Sequence, residues 1–274
     1  MNAPDVAVDT TVDAAVNTAL PWYHPIGDEL GLFEHAWRQR LPLMIKGPTG
    51  CGKSRLVEHM AAKLGRPLIT VAAHDDTSAV DLLGRYLVRG GDTVWQDGPV
   101  TRAVRQGAIL YIDEIAEARP DVVVVLHPLT DHRRQLYIDR TDEALTAGPD
   151  FMLVVSFNPG YQGSLKELKP STRQRFLGLS LDFPPEAVEI EVLVREAGVQ
   201  AAHAKRLVAL ANRLRSLENL GLAEVPSTRL LVSASKLITA GMPPRVACRA
   251  GVVEPLTDDA ELISGLMDVV NLVF

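Results

Sequence analysis

The residues with the clearest chemical purpose stand eight in a row: Gly47, Pro48, Thr49, Gly50, Cys51, Gly52, Lys53 and Ser54. Their order, G-x4-G-K-S, is that of a phosphate-binding loop. Its glycines let the backbone curl until several N–H groups converge on phosphate oxygens. A helix starting at the end of the loop adds the positive end of its dipole. Lys53 is then placed to neutralise β- and γ-phosphates, and the Ser54 hydroxyl to ligate Mg²⁺. Cys51 occupies a position that meets nucleotide through its backbone, so neither a nucleophilic nor a metal role is expected of its thiol.

A second group lies 60 residues beyond Lys53, where the apolar run Ala108–Ile112 ends in Asp113-Glu114. A parallel strand with acids at its carboxyl end delivers charge to the rim where such sheets bind ligands. Asp113 would hold Mg²⁺ through water, and Glu114 would orient and deprotonate an attacking water. Adjacent acids favour ATP hydrolysis over transfer to a small acceptor. Asp75-Asp76 reads instead as a strand-exit turn and helix cap. No HExxH occurs, and Pro128 separates His127 from His132, so no metal beyond the nucleotide's Mg²⁺ is expected. Ser156 and Ser164 lie in no G-x-S-x-G setting. The two cysteines, Cys51 and Cys248, form no CxxC and read as reduced thiols.

Elements that could hold these groups are visible in the pattern. Strand-like runs at 43–46, 68–72, 108–112, 152–157 and 177–181 alternate with helical stretches. The first helix carries Leu56, Val57, Met60 and Leu64 on one face. This predicts an α/β body with a parallel sheet covered on both sides. Beyond Phe183-Pro184-Pro185 the chain reads as helical throughout. Leu207, Leu210, Leu214 and Leu217 make one apolar face, ended by Gly221. Leu230, Leu231, Ala234, Leu237 and Ile238 make another, ended by Gly241 and Pro243-Pro244. Three parts are expected: a disordered acidic tail over 1–20 (with Asp5, Asp9 and Asp13), an α/β nucleotide-binding domain over 21–184, and a helical lid over 185–274.

Composition narrows the function classes. The 274 residues are 47% hydrophobic and 23% charged, as in soluble globular proteins. A formal charge of −6 and only 5% aromatics argue against nucleic acid as a partner. No apolar run reaches the roughly 18 residues that would suggest a membrane span. The first Lys or Arg is Arg38, unlike the charged start of a secretory signal. A cytoplasmic protein with no membrane insertion is expected.

From about Pro21 onward the chain resembles AAA+ ATPases of the MoxR group. The segment from Met152 to Asn158-Pro159 resembles a sensor-1 strand, whose polar end, Asn158, positions water against the γ-phosphate. Ser171-Thr172-Arg173-Gln174-Arg175-Phe176 resembles the segment bearing an arginine finger, which reaches a neighbouring subunit's nucleotide. Arg175 is favoured for that role because it precedes Phe176, with Arg173 its rival. Pro226-Ser227-Thr228-Arg229 resembles sensor 2, which would lay Arg229 over the phosphates. Residues 81–99 read as a hairpin turning at Gly90-Gly91, and residues 129–139 as a second hairpin. The resemblance places both insertions toward a ring pore or ring surface, where Tyr86 and Trp95 could grip a client. Burial of Trp95 under its own hairpin is the competing reading.

The phrases GPTGCGKS, GRYL, HPLTDHRR, FNPGYQ and STRQRF are most similar to the CbbQ/NorQ subgroup. The resemblance implies a P-loop AAA+ core with a parallel five-stranded sheet, helices on both faces and β-hairpin insertions, plus a small all-helical C-terminal lid. It also implies ATP and Mg²⁺ as cofactors, a homo-oligomeric ring of six, and a partner carrying a von Willebrand factor A domain. CbbQ-type members drive a Rubisco activase that frees inhibitory sugar phosphates, and carboxysome association would fit that client. NorQ-type members help to mature nitric oxide reductase by assisting iron insertion. Three other readings remain: a small-molecule kinase, a non-hydrolysing ATP-binding scaffold, and a DNA-acting machine.

Overall fold

The computed structural model describes residues 20–159, 168–217 and 222–274. Nearly all of the tail, Gly160-Tyr161-Gln162 of the FNPGYQ phrase, Ser164 and Gly221 lie outside the described residues. The described chain opens with α1 (Glu29–Arg38), β1 (Leu43–Lys46), α2 (Lys53–Lys63), β2 (Leu68–Ala72) and the short α3 (Ala79–Leu83). A hairpin of β3 (Gly84–Arg89) and β4 (Asp92–Asp97) leads to α4 (Pro99–Gln106), β5 (Ile109–Asp113) and α5 (Pro120–Leu126). A second hairpin, β6 (Gln135–Ile138) and β7 (Glu143–Thr146), precedes β8 (Met152–Phe157), α6 (Pro170–Arg173) and β9 (Leu177–Ser180). The helical region then runs α7 (Glu186–Ala197), α8 (Ala201–Ser216), α9 (Thr228–Thr239), α10 (Pro244–Cys248) and α11 (Ala260–Val273).

Five strands form one parallel sheet in the order β2-β5-β8-β1-β9. Successive side chains on a strand point to opposite faces, and here both faces are dry. On β5, Leu110 and Ile112 enter one core with α4 and α5, while Ile109 and Tyr111 enter the other with α1 and α2. On β8, Leu153 and Val155 face the first core and Met152 and Val154 the second. On α2, the expected apolar face is fully covered at Leu56, Val57 and Met60, and Leu64 caps the helix end. A third core gathers Leu193, Leu207, Leu210, Leu214, Leu231, Ala234, Val252 and Val270 from the helices after residue 185.

The strand order matters for chemistry. β8 lies between β1 and β5, so its carboxyl end separates the phosphate loop from the acids that follow β5. The three strand ends therefore converge on one rim.

Some details depart from the sequence pattern. The first hairpin turns at Gly90 (φ 61°) and Gly91 (φ 95°), as a tight two-residue turn with two left-handed positions requires. The second hairpin covers 135–146 rather than 129–139. Asp131 to Arg134 forms a turn instead, with Arg134 at φ 49° and its guanidinium donating to the carbonyls of Arg40, Gly148 and Phe151. Asp75-Asp76 does form a turn, but the helix after it is capped by Ser78 in a capping box with Asp81. Leu217 falls beyond the end of α8 and is 44% exposed, so it does not join that helix's apolar face.

Candidate active site

The phosphate loop leaves β1 at Lys46 and enters α2 at Lys53, with Gly52 as the N-cap at φ 108°. Gly50 sits at φ 70°, and a Cβ there would lie 2.7 Å from Ser227 Cβ. Only glycine satisfies both the left-handed turn and that approach. The helical region is thus packed directly on the loop. Lys53 is buried, and its ammonium donates to the carbonyls of Gly47 (2.8 Å) and Pro48 (3.0 Å). Burial pushes the Cys51 thiol up, against a counter-pull from Lys53, so the thiolate a nucleophile needs is disfavoured.

Asp113 ends β5 and accepts from three hydroxyls. Tyr111 donates to Oδ1 at 2.7 Å, Ser156 donates to the same oxygen, and Ser54 donates to Oδ2 at 3.4 Å. The Ser54 hydroxyl and the Asp113 carboxylate are hard oxygen donors facing one point, the donor chemistry that Mg²⁺ selects. Burial drives the Tyr111 phenol above its ordinary range, so it stays a donor. Glu114 follows at φ 55°, a left-handed conformation seldom adopted by a residue with a side chain. Its backbone N–H donates to Ser156 Oγ at 3.1 Å. Burial raises the Glu114 carboxyl above the usual glutamate range, Lys53 pulls it down, and Asp113, Glu117 and Glu224 add to the rise.

Asn158, just past β8, donates through Nδ2 to Thr49 Oγ1 at 3.0 Å, and Thr49 donates onward to Glu224 Oε1 at 2.8 Å. From the other side, Ser227 caps α9 by accepting from the Leu230 N–H, and Arg229 on its first turn enters the same cleft. The cleft has a volume of ≈ 540 Å³. Its phosphate end holds residues 49–54, Asp113, Glu114 and Arg229. Tyr23, His24, Ile26, Val188 and Val192 also line the cleft. A lining of phosphate-loop, basic, acidic and apolar side chains at this volume suits a nucleotide.

Two models of known families match the chain. An AAA domain of the dynein-related subfamily covers residues 42–176, and a CbbQ/NirQ/NorQ C-terminal domain covers 189–273. Protein NorQ of Paracoccus denitrificans is 57% identical over 97% of this chain and 98% of its own length. The denitrification regulatory protein NirQ of Pseudomonas aeruginosa is 56% identical over 93% of this chain and 98% of its own. Protein CbbQ of Hydrogenophilus thermoluteolus is 55% identical over 88% and 91%. The chain belongs to the CbbQ/NirQ/NorQ group of AAA ATPases. Among solved structures, a Thermotoga maritima RuvB mutant superposes with a TM-score of 0.55 at 20% identity, covering 93% of this chain and 73% of that one, which speaks for the fold alone.

In this CbbQ/NirQ/NorQ-group chain the expected site residues fall into two places. Loop residues 49–54, Asp113, Glu114 and Arg229 line one cleft, Gly47 and Pro48 meet it only through Lys53, and Asn158 reaches it through Thr49. Arg173 and Arg175 do not line it. Both are exposed on the α6 segment, Arg173 over the Phe157 ring at 5.2 Å. Burial, with the nearby charges of Arg175 and Lys169, lowers the pKa of His127, which meets Thr172 at 3.2 Å.

Several contributors escaped the sequence reading. Ser156 was dismissed as a nucleophile, yet it ties Asp113 to the Glu114 backbone. Tyr111 reads as core and is, but its hydroxyl joins the acid. Glu224 precedes the sensor-2 motif with no pattern of its own. The stretch from Trp22 to Ile26 becomes a cleft wall because the His59 Nδ1–H donates to Pro21 O (2.8 Å) and Arg195 stacks on Trp22 at 4.8 Å. Glu189, wholly buried, receives a two-pronged Arg215 contact at 2.8 Å per prong and a Thr228 hydroxyl at 2.6 Å.

Proposed function

We propose that this chain is an ATP-hydrolysing remodelling motor that works as a ring with a von Willebrand factor A-type partner. The observation that carries the reading is the meeting, in one cleft, of the phosphate loop, Asp113-Glu114 and Arg229 from the helical region. Loop N–H groups and Lys53 hold the β- and γ-phosphates. Ser54 and Asp113 hold Mg²⁺, which when bound offsets phosphate charge. Glu114, its carboxyl raised by burial, takes the proton of the attacking water. Asn158 orients that water, and Arg229 follows the phosphates from the lid side. Arg175, exposed and away from its own cleft, is suited to serve a neighbour's. A kinase would need no such trans-acting group, and a scaffold no acid held in a left-handed conformation.

The client proposed from the motif wording is Rubisco, freed of an inhibitory sugar phosphate. A second reading, maturation of nitric oxide reductase, is favoured by the NorQ relative, which aligns with 97% of this chain against 88% for the CbbQ relative. The test is carboxylation by inhibitor-blocked Rubisco from the same host, with this chain, its partner and ATP. Recovery that needs ATP and disappears with Glu114→Gln supports the activase. Brisk ATPase activity without recovery transfers the proposal to nitric oxide reductase, assayed by iron content after co-expression. No hydrolysis beyond that of Glu114→Gln would defeat the motor reading.

A further inference from the structure

Glu224 lies between α8 and α9, and its carboxylate accepts from Thr49 in the phosphate loop. Thr49 in turn accepts from the Asn158 amide. A threonine hydroxyl owns one proton. With that proton directed to Glu224, Thr49 can only accept on its other side. Asn158 must therefore turn its NH₂, not its carbonyl, toward the loop. One hydroxyl thus links the helical region to the orientation of the sensor amide.

The surrounding chain is built to hold Glu224 in place. Arg215 Nε donates to Pro226 O at 2.9 Å, two residues on. Ser227 packs so closely on Gly50 that no Cβ fits between them. The stretch from 224 to 229 thus reaches the body at three successive points: Glu224 on Thr49, Ser227 against Gly50, and Arg229 in the cleft. A carboxylate beside a phosphate cradle works against anion binding. Its presence there calls for a task other than attracting nucleotide.

We propose that Glu224 is a positioning residue for hydrolysis: it holds the Thr49 hydroxyl, which helps to orient the Asn158 amide, so seating of the helical region on the loop promotes sensor alignment. This rests on the ATPase reading above and adds to it the means by which lid position gates turnover. Nucleotide affinity is left to the loop, Lys53 and Arg229. The chemical step, not binding, depends on the relay.

The test is a kinetic double-mutant cycle on the full chain, with kcat and KM for ATP and the Kd of Mg·ATP measured for each variant. Glu224→Ala is expected to lower kcat on the order of tenfold without weakening Mg·ATP, so that KM and Kd stay level or fall as a carboxylate leaves the cradle. Glu224→Gln keeps an acceptor and Thr49→Ser keeps a hydroxyl, so both retain most of the rate. Thr49→Val loses rate as Glu224→Ala does, and the double variant loses little more, because both cut one relay. Unchanged or faster turnover in Glu224→Ala would overturn the proposal, as would losses that multiply or a change confined to KM. If Glu224→Ala does not fold, Thr49→Val against Thr49→Ser decides, and equal rates for those two overturn it. A wild-type chain with no Glu114-dependent hydrolysis would instead sink the ATPase reading, and the relay with it.

Discussion

The Ser156 hydroxyl donates to the Asp113 carboxylate while accepting the backbone N–H of Glu114. One fully buried side chain on β8 therefore fixes both the acid that ends β5 and the acid after it. It can do so because β8 lies between β5 and β1, next to both. Ser156→Ala leaves the Glu114 N–H without its partner and takes one of three donors from Asp113. Loss of about 1–3 kcal/mol in stability is expected from the orphaned donor. A fall in kcat larger than any rise in KM for ATP should accompany it. Urea unfolding and steady-state hydrolysis on the same preparation check both, and Ser156→Thr tests whether the hydroxyl alone suffices.

Glu114 yields a prediction whose sign follows from its environment. Burial raises its carboxyl above the value it has in the unfolded chain. Between the two values the folded state binds more proton, so stability falls as pH rises through that window. The cost of the ionised group is complete above the folded value. Glu114→Gln removes the cost and abolishes hydrolysis together. Without nucleotide or Mg²⁺, the variant should melt higher than wild type near neutral pH, and the gap should close as pH falls toward the ordinary glutamate range. Melting temperatures across that series give the answer. A gap of constant size would show that the raised carboxyl is not its source.

The two acids and the loop were legible because each is a local phrase: Lys53-Ser54 opens a helix, and Asp113-Glu114 closes an apolar strand. The parallel sheet was legible for a similar reason, since strands dry on both faces read as unbroken apolar runs. Ser156 was not, because its value depends on β8 lying between β5 and β1, a pairing of strands more than forty residues apart. Glu224 needed the contact of Ser227 with Gly50 before its carboxylate could matter. The second hairpin was misplaced because His132-Arg133-Arg134 offers no turn glycine. Arg134 takes the left-handed position anyway, held there by three carbonyls on other segments. Tertiary hydrogen bonds outweighed local preference at that point.

The clamp between Arg215 and Glu189 predicts a strong effect far from the reacting atoms. Arg215 stacks on Phe183 at 4.0 Å, at the exit from the sheet, and holds Glu189 with both terminal nitrogens. Glu189 in turn holds Thr228, the residue before Arg229. Arg215→Ala leaves a wholly buried carboxylate without its ion partner, which costs about 3–5 kcal/mol. Arg215→Met combined with Glu189→Leu should recover much of that stability, since the uncompensated charge is gone. It should not recover turnover, because Thr228 and the Pro226 carbonyl still lack their partners and Arg229 is no longer placed. Unfolding in urea and kcat, measured side by side, separate the two effects.

The proposed arginine finger can be tested without a structure of the proposed ring. Neither Arg173 nor Arg175 lines its own chain's cleft, so neither is placed to touch its own nucleotide. Consider rings mixed from Arg175→Ala and Glu114→Gln subunits. Each kind alone lacks either the finger or the base at every interface. In an equal random mixture, about a quarter of interfaces join an intact Glu114 to an intact Arg175 from the adjacent subunit. Hydrolysis should therefore reappear on mixing and peak near equal proportions. Rings mixed from Arg173→Ala and Glu114→Gln should show no such rescue, because Arg173→Ala alone keeps the finger. Its stacking on Phe157, the strand residue just before Asn158, fits a supporting position in the same subunit. Rescue with Arg173→Ala and none with Arg175→Ala would exchange the two roles. Native mass spectrometry of the mixed rings verifies that subunits have exchanged, so that a failure to rescue counts against the finger rather than the mixing.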